Sequence, residues 1–220
     1  MPHSPSSKRP TCVTCLRPQS NCICTWVTPV NTRIEVLILQ HPLEVNQTKG
    51  TARLLHLSLP NSRMVTGEVF DASLFNSPKR SIVLYPETPP NPSQRLAVPA
   101  VLDASWLATP DELRLVVLDG TWRKSRKILY LNPALQRMPR LPLRNMPASN
   151  YRIRTAHLPD QLSTLEATCA ALAVLEGKSA QVAPLLTAFD GFVQQLELQQ
   201  AGFKQNTDSN AFQNKHSSVG

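Results

Sequence analysis

Three short apolar runs, each cut off by a polar residue or proline, constrain this chain more than any other feature. Ile34-Glu35-Val36-Leu37-Ile38-Leu39 leads into His41-Pro42, Ser81-Ile82-Val83-Leu84-Tyr85 stops at Pro86, and Leu115-Val116-Val117-Leu118 stops at Asp119-Gly120. Short apolar runs without polar alternation suit strands covered on both faces. Helical patterns stand around them: Thr48 to about Leu57, Thr121 to Leu131, Ser163 to Glu176, and about Ala180 to Gln199. In the third, Leu165, Thr168, Cys169, Leu172 and Leu175 recur at helical spacing, and Ser163 followed by Glu166 has capping-box form. The fourth carries Leu185, Leu186, Phe189, Phe192, Val193 and Leu196. Strands alternating with helices give an α/β class with a mainly parallel sheet, in which ligand sites lie beyond the carboxyl ends of the strands. Leu84 to Pro86 and Leu118 to Trp122 occupy such ends.

With 220 residues, 41% of them hydrophobic, the chain can bury one substantial core, so one domain with small appendages is expected. Twenty prolines against seven glycines make for stiff loops, notably Glu87 to Pro99 and the arginine- and proline-rich stretch Pro133 to Pro147, read as irregular surface chain. Residues 1–11 read as a flexible lead-in, the main fold starts near Arg33, and the polar tail beyond Gly202 is expected to be disordered. There is no internal repeat. No stretch has the roughly 18 to 20 apolar residues that a membrane span needs. Met1 to Pro10 lacks a signal-peptide core, so a soluble cytoplasmic protein with no membrane contact is expected. No pattern marks an obligate protein partner.

Cys12-x2-Cys15-x6-Cys22-x-Cys24 places four thiols in thirteen residues. Four sulfur ligands suit tetrahedral zinc, which would order a segment too short to fold by hydrophobic burial. Two disulfides or an iron–sulfur cluster are the alternatives. With zinc the role is structural, because four thiolates leave no open position for water. Cys169, on an apolar helix stripe, reads as a small core residue.

Asp119 ends a buried run and precedes a helix, which fits either a carboxylate presented to substrate or a helix N-cap. Trp122 fits either stacking on a ligand or core packing. Lys and Arg outnumber Asp and Glu by 23 to 15, a net charge of +8, which favours a polyanionic partner. Arg123, Lys124, Arg126 and Lys127 follow the aspartate directly, and Arg137, Arg140, Arg144, Arg152 and Arg154 come after. A phosphate-binding track and an ordinary solvated helix face both fit this run. Arg17 and Arg33 would extend such a track.

The opening Cys-x2-Cys…Arg17-Pro18…Cys22-x-Cys24, His41-Pro42-x-Glu44, Leu84-Tyr85-Pro86, Asp119-Gly120-Thr121-Trp122 and Ser163-Thr164-Leu165-Glu166-Ala167 together resemble the DTW-domain proteins, in order from about Cys12 to Phe192. That resemblance implies a tRNA-uridine aminocarboxypropyltransferase: the 3-amino-3-carboxypropyl group of S-adenosylmethionine goes to N3 of a tRNA uridine, in the variable loop for bacterial members. It also implies a SPOUT-like domain over 31–202 with a knotted carboxy-terminal part, after a zinc element at 12–30 and before a tail at 203–220. Asp119 would then be a general base or a group that orients the imide, with Thr121 as its support and Trp122 stacking on uracil or adenine. Leu84, Pro86, Leu118, Asp119, Ser163, Thr164 and Glu166 would meet the co-substrate. Arg123, Lys124, Arg126, Lys127, Arg152 and Arg154 would meet RNA. The other readings of the residues are methylation of RNA from the same co-substrate and a non-catalytic zinc-containing RNA-binding module.

Overall fold

Each of the three apolar runs forms a strand, and all three lie side by side. The computed structural model describes residues 10–87, 97–144, 149 and 162–216, with side chains as far as residue 201. In chain order the elements are β1 (Glu35–Gln40), α1 (Ala52–Ser58), β2 (Ser62–Thr66), β3 (Arg80–Leu84), β4 (Leu113–Asp119), α2 (Trp122–Leu131), α3 (Pro133–Arg137), β5 (Arg140–Leu141), α4 (Thr164–Glu176) and α5 (Ser179–His216). The sheet order is β2-β1-β4-β3-β5 and every neighbouring pair is parallel. The mixed α/β class with a parallel sheet is therefore as the sequence predicts.

Strand alternation divides the core into two layers. Val36, Ile38, Ile82, Leu115 and Val117 face one side, with α1, α4 and α5, where Leu54, Leu172, Phe189 and Phe192 are buried. Leu37, Leu39, Val83, Val116 and Leu118 face the other, against Ile128 and Leu129 of α2 and Leu135 of α3. A fully buried Leu or Phe contributes about 1.5–3 kcal/mol, whereas an exposed ion pair such as Arg33–Asp111 is screened by solvent and contributes little. The two helical layers, not the surface charges, hold the sheet.

Four segments depart from the sequence reading. β2 has no counterpart there: its Ser-Arg-Met-Val-Thr run is only partly covered at the sheet edge, so apolar continuity is missing. Pro133 to Pro147 does not begin as irregular surface chain, because α3 buries Leu135 and Gln136 and β5 adds to the far edge of the sheet. Helix α1 starts at Ala52 rather than Thr48, after a 3-10 turn at Pro42–Glu44. Helix α5 continues to His216, past Gly202, where disorder is expected; adding residues to a helix already anchored by packing is far easier than nucleating one.

Candidate active site

The strand register decides what surrounds Asp119. Gln40 and Asp119 are direct partners at the carboxyl ends of β1 and β4. Both continue the alternation of Val36-Ile38 and Leu115-Val117, so both side chains point toward α4 and are buried. Gln40 Nε2 donates to Asp119 Oδ2 at 3.0 Å, and Thr164 Oγ1 donates to Oδ1 at 2.8 Å. Both carboxylate oxygens are thus held, one from β1 and one from the start of α4. Asp119 is not the cap of α2; that place belongs to Thr121, whose side chain makes no capping hydrogen bond.

Thr164 is held in its turn by the start of α4. Ser163 Oγ accepts the Glu166 amide at 3.2 Å and Glu166 Oε2 accepts the Ser163 amide at 2.8 Å, the full capping box. Ser149 Oγ donates to Glu166 as well, at 2.7 Å, and Leu165 N–H donates to Thr51 Oγ1 at 3.2 Å. Glu166 therefore serves the helix end.

A cavity of about 270 Å³ opens in front of Asp119. Its wall mixes two carboxylates, Asp119 and Glu44, two ammonium groups, Lys49 and Lys124, and the hydroxyls of Thr51, Thr121, Ser163 and Thr164. Lys124 Nζ and Glu44 Oε1 pair at 2.7 Å. Gly120 is required by close approach, since a Cβ there would lie 2.9 Å from Lys124 Cβ and 3.6 Å from His41 Cβ. His41 is buried beneath this wall: Nδ1 accepts the Leu43 amide at 3.2 Å, so the proton sits on Nε2 and is directed at Glu68 Oε1, 2.7 Å away. Glu68 also pairs with Lys127 of α2, and these partners, Lys127 first, hold its carboxyl below the usual range.

Of the residues singled out in the sequence, the cavity gathers Glu44, Asp119, Gly120, Thr121, Lys124, Ser163 and Thr164. Leu118 points into the opposite core layer, Leu84 ends β3 and packs, partly buried, against the core layer of α4 and α5, and Pro86 is exposed one strand away; none is among the cavity's lining residues. Trp122 is half exposed, edge-on to the buried Tyr85 ring at 6.0 Å, so it is not a core residue. Sequence reasoning missed Gln40, Gln47, Lys49 and Thr51. Only Gln40 left a trace, as the amide that ends the apolar run Val36-Leu37-Ile38-Leu39.

The basic residues divide. Arg123 and Arg126 are exposed on α2, Lys127 is exposed but paired with Glu68, and Lys124 is turned into the cavity wall. Arg140 is buried over the Tyr85 ring at 5.5 Å, Arg33 pairs with Asp111, Arg144 pairs with Glu87, and Arg137 is exposed. Arg17 is turned inward and bonded to loop carbonyls, so the track does not extend through it. Arg152 and Arg154 lie outside the described residues.

The four clustered cysteines are free, and their sulfurs all lie within 4.8 Å of one another. Cys12 and Cys24 Sγ are 3.6 Å apart and Cys15 and Cys22 Sγ 3.8 Å. Metal–sulfur bonds of about 2.3 Å in a tetrahedron place sulfurs about 3.8 Å apart, so the four could hold one tetrahedral metal. The amides of Cys15 and Thr14 point at Cys12 and pull its thiol well down toward thiolate, the form that binds metal. Burial pushes the Cys24 thiol up. Cys169 is fully buried in the core, and burial pushes its thiol up to about 12, which fits a structural residue.

A family model described as the DTW domain matches residues 9–197, spanning the cysteine knuckle, the cavity and the first half of α5. The chain belongs to the DTW-domain family. Among DTW-domain relatives, it is 30% identical over 187 residues to a protein of Macaca fascicularis named tRNA-uridine aminocarboxypropyltransferase 2, covering 80% of this chain and 60% of that one. It is 33% identical over 178 residues to the Drosophila melanogaster protein of the same name, covering 79% and 70%. An Arabidopsis thaliana protein named tRNA-uridine aminocarboxypropyltransferase A is 28% identical over 143 residues, covering 59% and 54%. This DTW-domain chain thus spans about 60% of the length of the macaque relative. No solved structure matches it significantly.

Proposed function

We propose that the chain transfers the 3-amino-3-carboxypropyl group of S-adenosylmethionine to N3 of a tRNA uridine, in the variable loop. The observation that carries this reading is the mixed-charge cavity around Asp119. A zwitterionic amino-acid end needs a carboxylate for its ammonium and a cation or free amides for its carboxylate, and this wall offers both beside Asp119: Glu44 for the first, Lys49 and Lys124 for the second. The uncapped amino end of α2 adds backbone N–H groups suited to an anion. The names of the relatives agree with the reaction and with tRNA as its substrate.

When bound, the sulfonium supplies an electrophilic carbon and a neutral thioether leaving group. Attack by uridine N3 forms the N3–Cγ bond, breaks the Cγ–S bond, and releases methylthioadenosine and the N3 proton. Asp119, fixed by Gln40 and Thr164, accepts the N3 hydrogen and takes that proton. Thr121 and Lys124 turn the amino-acid end so that Cγ, not the methyl carbon, faces N3; the choice of carbon is one of orientation. Trp122 stacks on a base beside the cavity, and Arg123 and Arg126 take phosphates. The four cysteines would hold a structural zinc, and the parallel sheet with its site at the strand ends is consistent with a SPOUT-like domain knotted at its carboxy-terminal part. Mass spectrometry of tRNA from a strain lacking the protein tests this: loss of aminocarboxypropyluridine, restored by the gene, is expected, and an unchanged nucleoside profile would contradict it.

A further inference from the structure

Arg17 joins two parts of the chain that the sequence keeps apart. It stands between Cys15 and Cys22, where the knuckle backbone sets its position: Cys12 N–H donates to the Arg17 carbonyl at 2.8 Å, Leu16 N–H donates to the Cys12 carbonyl at 2.9 Å, and Leu16 takes a left-handed φ of 59°. From there the guanidinium reaches out of the knuckle. It donates to the Thr48 carbonyl at 2.7 Å and the Gly50 carbonyl at 2.6 Å, with its central carbon 5.4 Å from the centre of the Phe192 ring of α5. A second tie runs the other way, from Arg53 of α1 to the Thr14 carbonyl at 3.1 Å. The loop that Arg17 grips is cavity wall: Lys49, Gly50 and Thr51 all line the space before Asp119.

Nothing in a metal-binding knuckle requires an arginine fork bonded to a distant loop. Two carbonyls accepting from one guanidinium fix the Thr48–Lys49 and Gly50–Thr51 peptides, because the planar fork sets their direction as well as their distance. We propose that Arg17 is a positioning residue for the cavity: the cysteine knuckle, through Arg17, holds the Lys49–Thr51 wall in the shape that receives the amino-acid end of the co-substrate. This rests on the assignment of that cavity under the proposed function. The knuckle then governs co-substrate affinity from outside the site, and loss of its metal loosens the wall.

The test uses the full, metal-loaded chain with Arg17→Ala and Arg17→Lys. Hydrogen exchange across residues 47–51 and zinc content are read without co-substrate, and S-adenosylmethionine affinity is read by calorimetry. Arg17→Ala is expected to keep its zinc, exchange faster at 47–51, and bind S-adenosylmethionine about tenfold more weakly or worse, the scale of losing charge-assisted hydrogen bonds. Arg17→Lys is expected to lie between, since an ammonium is a point charge rather than a fork. Transfer kinetics should show the loss in KM for the co-substrate with kcat held within about threefold. Unchanged exchange and affinity in folded, zinc-loaded Arg17→Ala would overturn the proposal, and unchanged exchange in Arg17→Lys would do so if the alanine variant does not fold. A wild-type chain that binds no S-adenosylmethionine would remove the site assignment instead, while the exchange data would still decide the coupling.

Discussion

Thr164 Oγ1 lies 2.8 Å from Asp119 Oδ1, so the first residue of α4 donates to the carboxylate that ends β4, 45 positions earlier in the chain. With Gln40 on the other oxygen, the aspartate is held from the sheet and from a helix end at once. That anchoring makes the carboxylate a fixed acceptor facing the cavity. Asp119→Asn keeps the shape but removes the charge. Transfer is expected to fall about 100-fold or more, the usual contribution of a positioned acid or base, with thermal stability and co-substrate binding nearly unchanged. Full activity in a folded Asp119→Asn protein would remove the role given to this residue.

Gln40→Leu takes away the donor to Asp119 Oδ2 inside a buried site. A carboxylate left one partner short in that position costs about 1–3 kcal/mol and swings away from its set orientation. Unfolding by urea should show the lower stability, and kcat should fall by about tenfold or more while tRNA affinity is kept.

Arg123 and Arg126 are exposed on the helix that begins beside the cavity. Replacing both with alanine should weaken tRNA binding and lower the slope of log affinity against log salt by about 2, one for each phosphate no longer neutralised. Co-substrate binding should be unaffected. A slope equal to the wild type's would return these residues to an ordinary solvated face.

Zinc analysis should find one metal per chain. Cys15→Ser, or prolonged chelation, should lower the thermal midpoint by about 5 °C or more. Gly191→Ala tests the docking of this knuckle separately, because a Cβ there would run into the Trp26 ring. Gln195 and Gln199 of the same helix donate to the carbonyls of Cys22 and Ser20, each at 3.1 Å. Gly191→Ala should therefore destabilise the chain by about 1–3 kcal/mol while leaving the metal bound.

His56 gives a pH dependence of known sign. Burial first, and the nearby Arg53 charge second, hold its pKa below the usual 6.5. As pH falls through 6.5 the unfolded chain takes up a proton that the folded chain refuses, so this contribution to stability is present above 6.5 and declines below it. The ring nitrogen Nδ1 sits 2.8 Å from Ser62 Oγ, a bond that a neutral side chain can keep. Urea midpoints measured near neutral pH and about one unit below 6.5 should lie closer together in His56→Gln than in the wild type. Equal pH dependence in both would contradict the assignment.

Much of this arrangement is legible in the sequence. The central strands declare themselves because both of their faces are buried, so nearly every position is apolar until the polar end. β2 and β5 at the edges carry no such run; β2 is only partly covered and β5 spans two residues. The capping box at Ser163 and Glu166 is readable because its bonds are local. The Gln40–Asp119–Thr164 cluster is not, because strand order must be known before two strand ends can be placed together. Arg17 and Arg140 look like surface charges in the sequence for the same reason: only the fold brings Thr48, Gly50 and Phe192 to the first and Tyr85 to the second.

The most direct measurement incubates the wild-type chain with tRNA and S-adenosylmethionine labelled separately in the methyl and in the aminocarboxypropyl group. Label from the aminocarboxypropyl group alone, on a uridine and absent with Asp119→Asn, is the expected result. Methyl label in the tRNA would make the chain a methyltransferase, and no label from either would leave it a binding protein; either outcome contradicts aminocarboxypropyl transfer at Asp119.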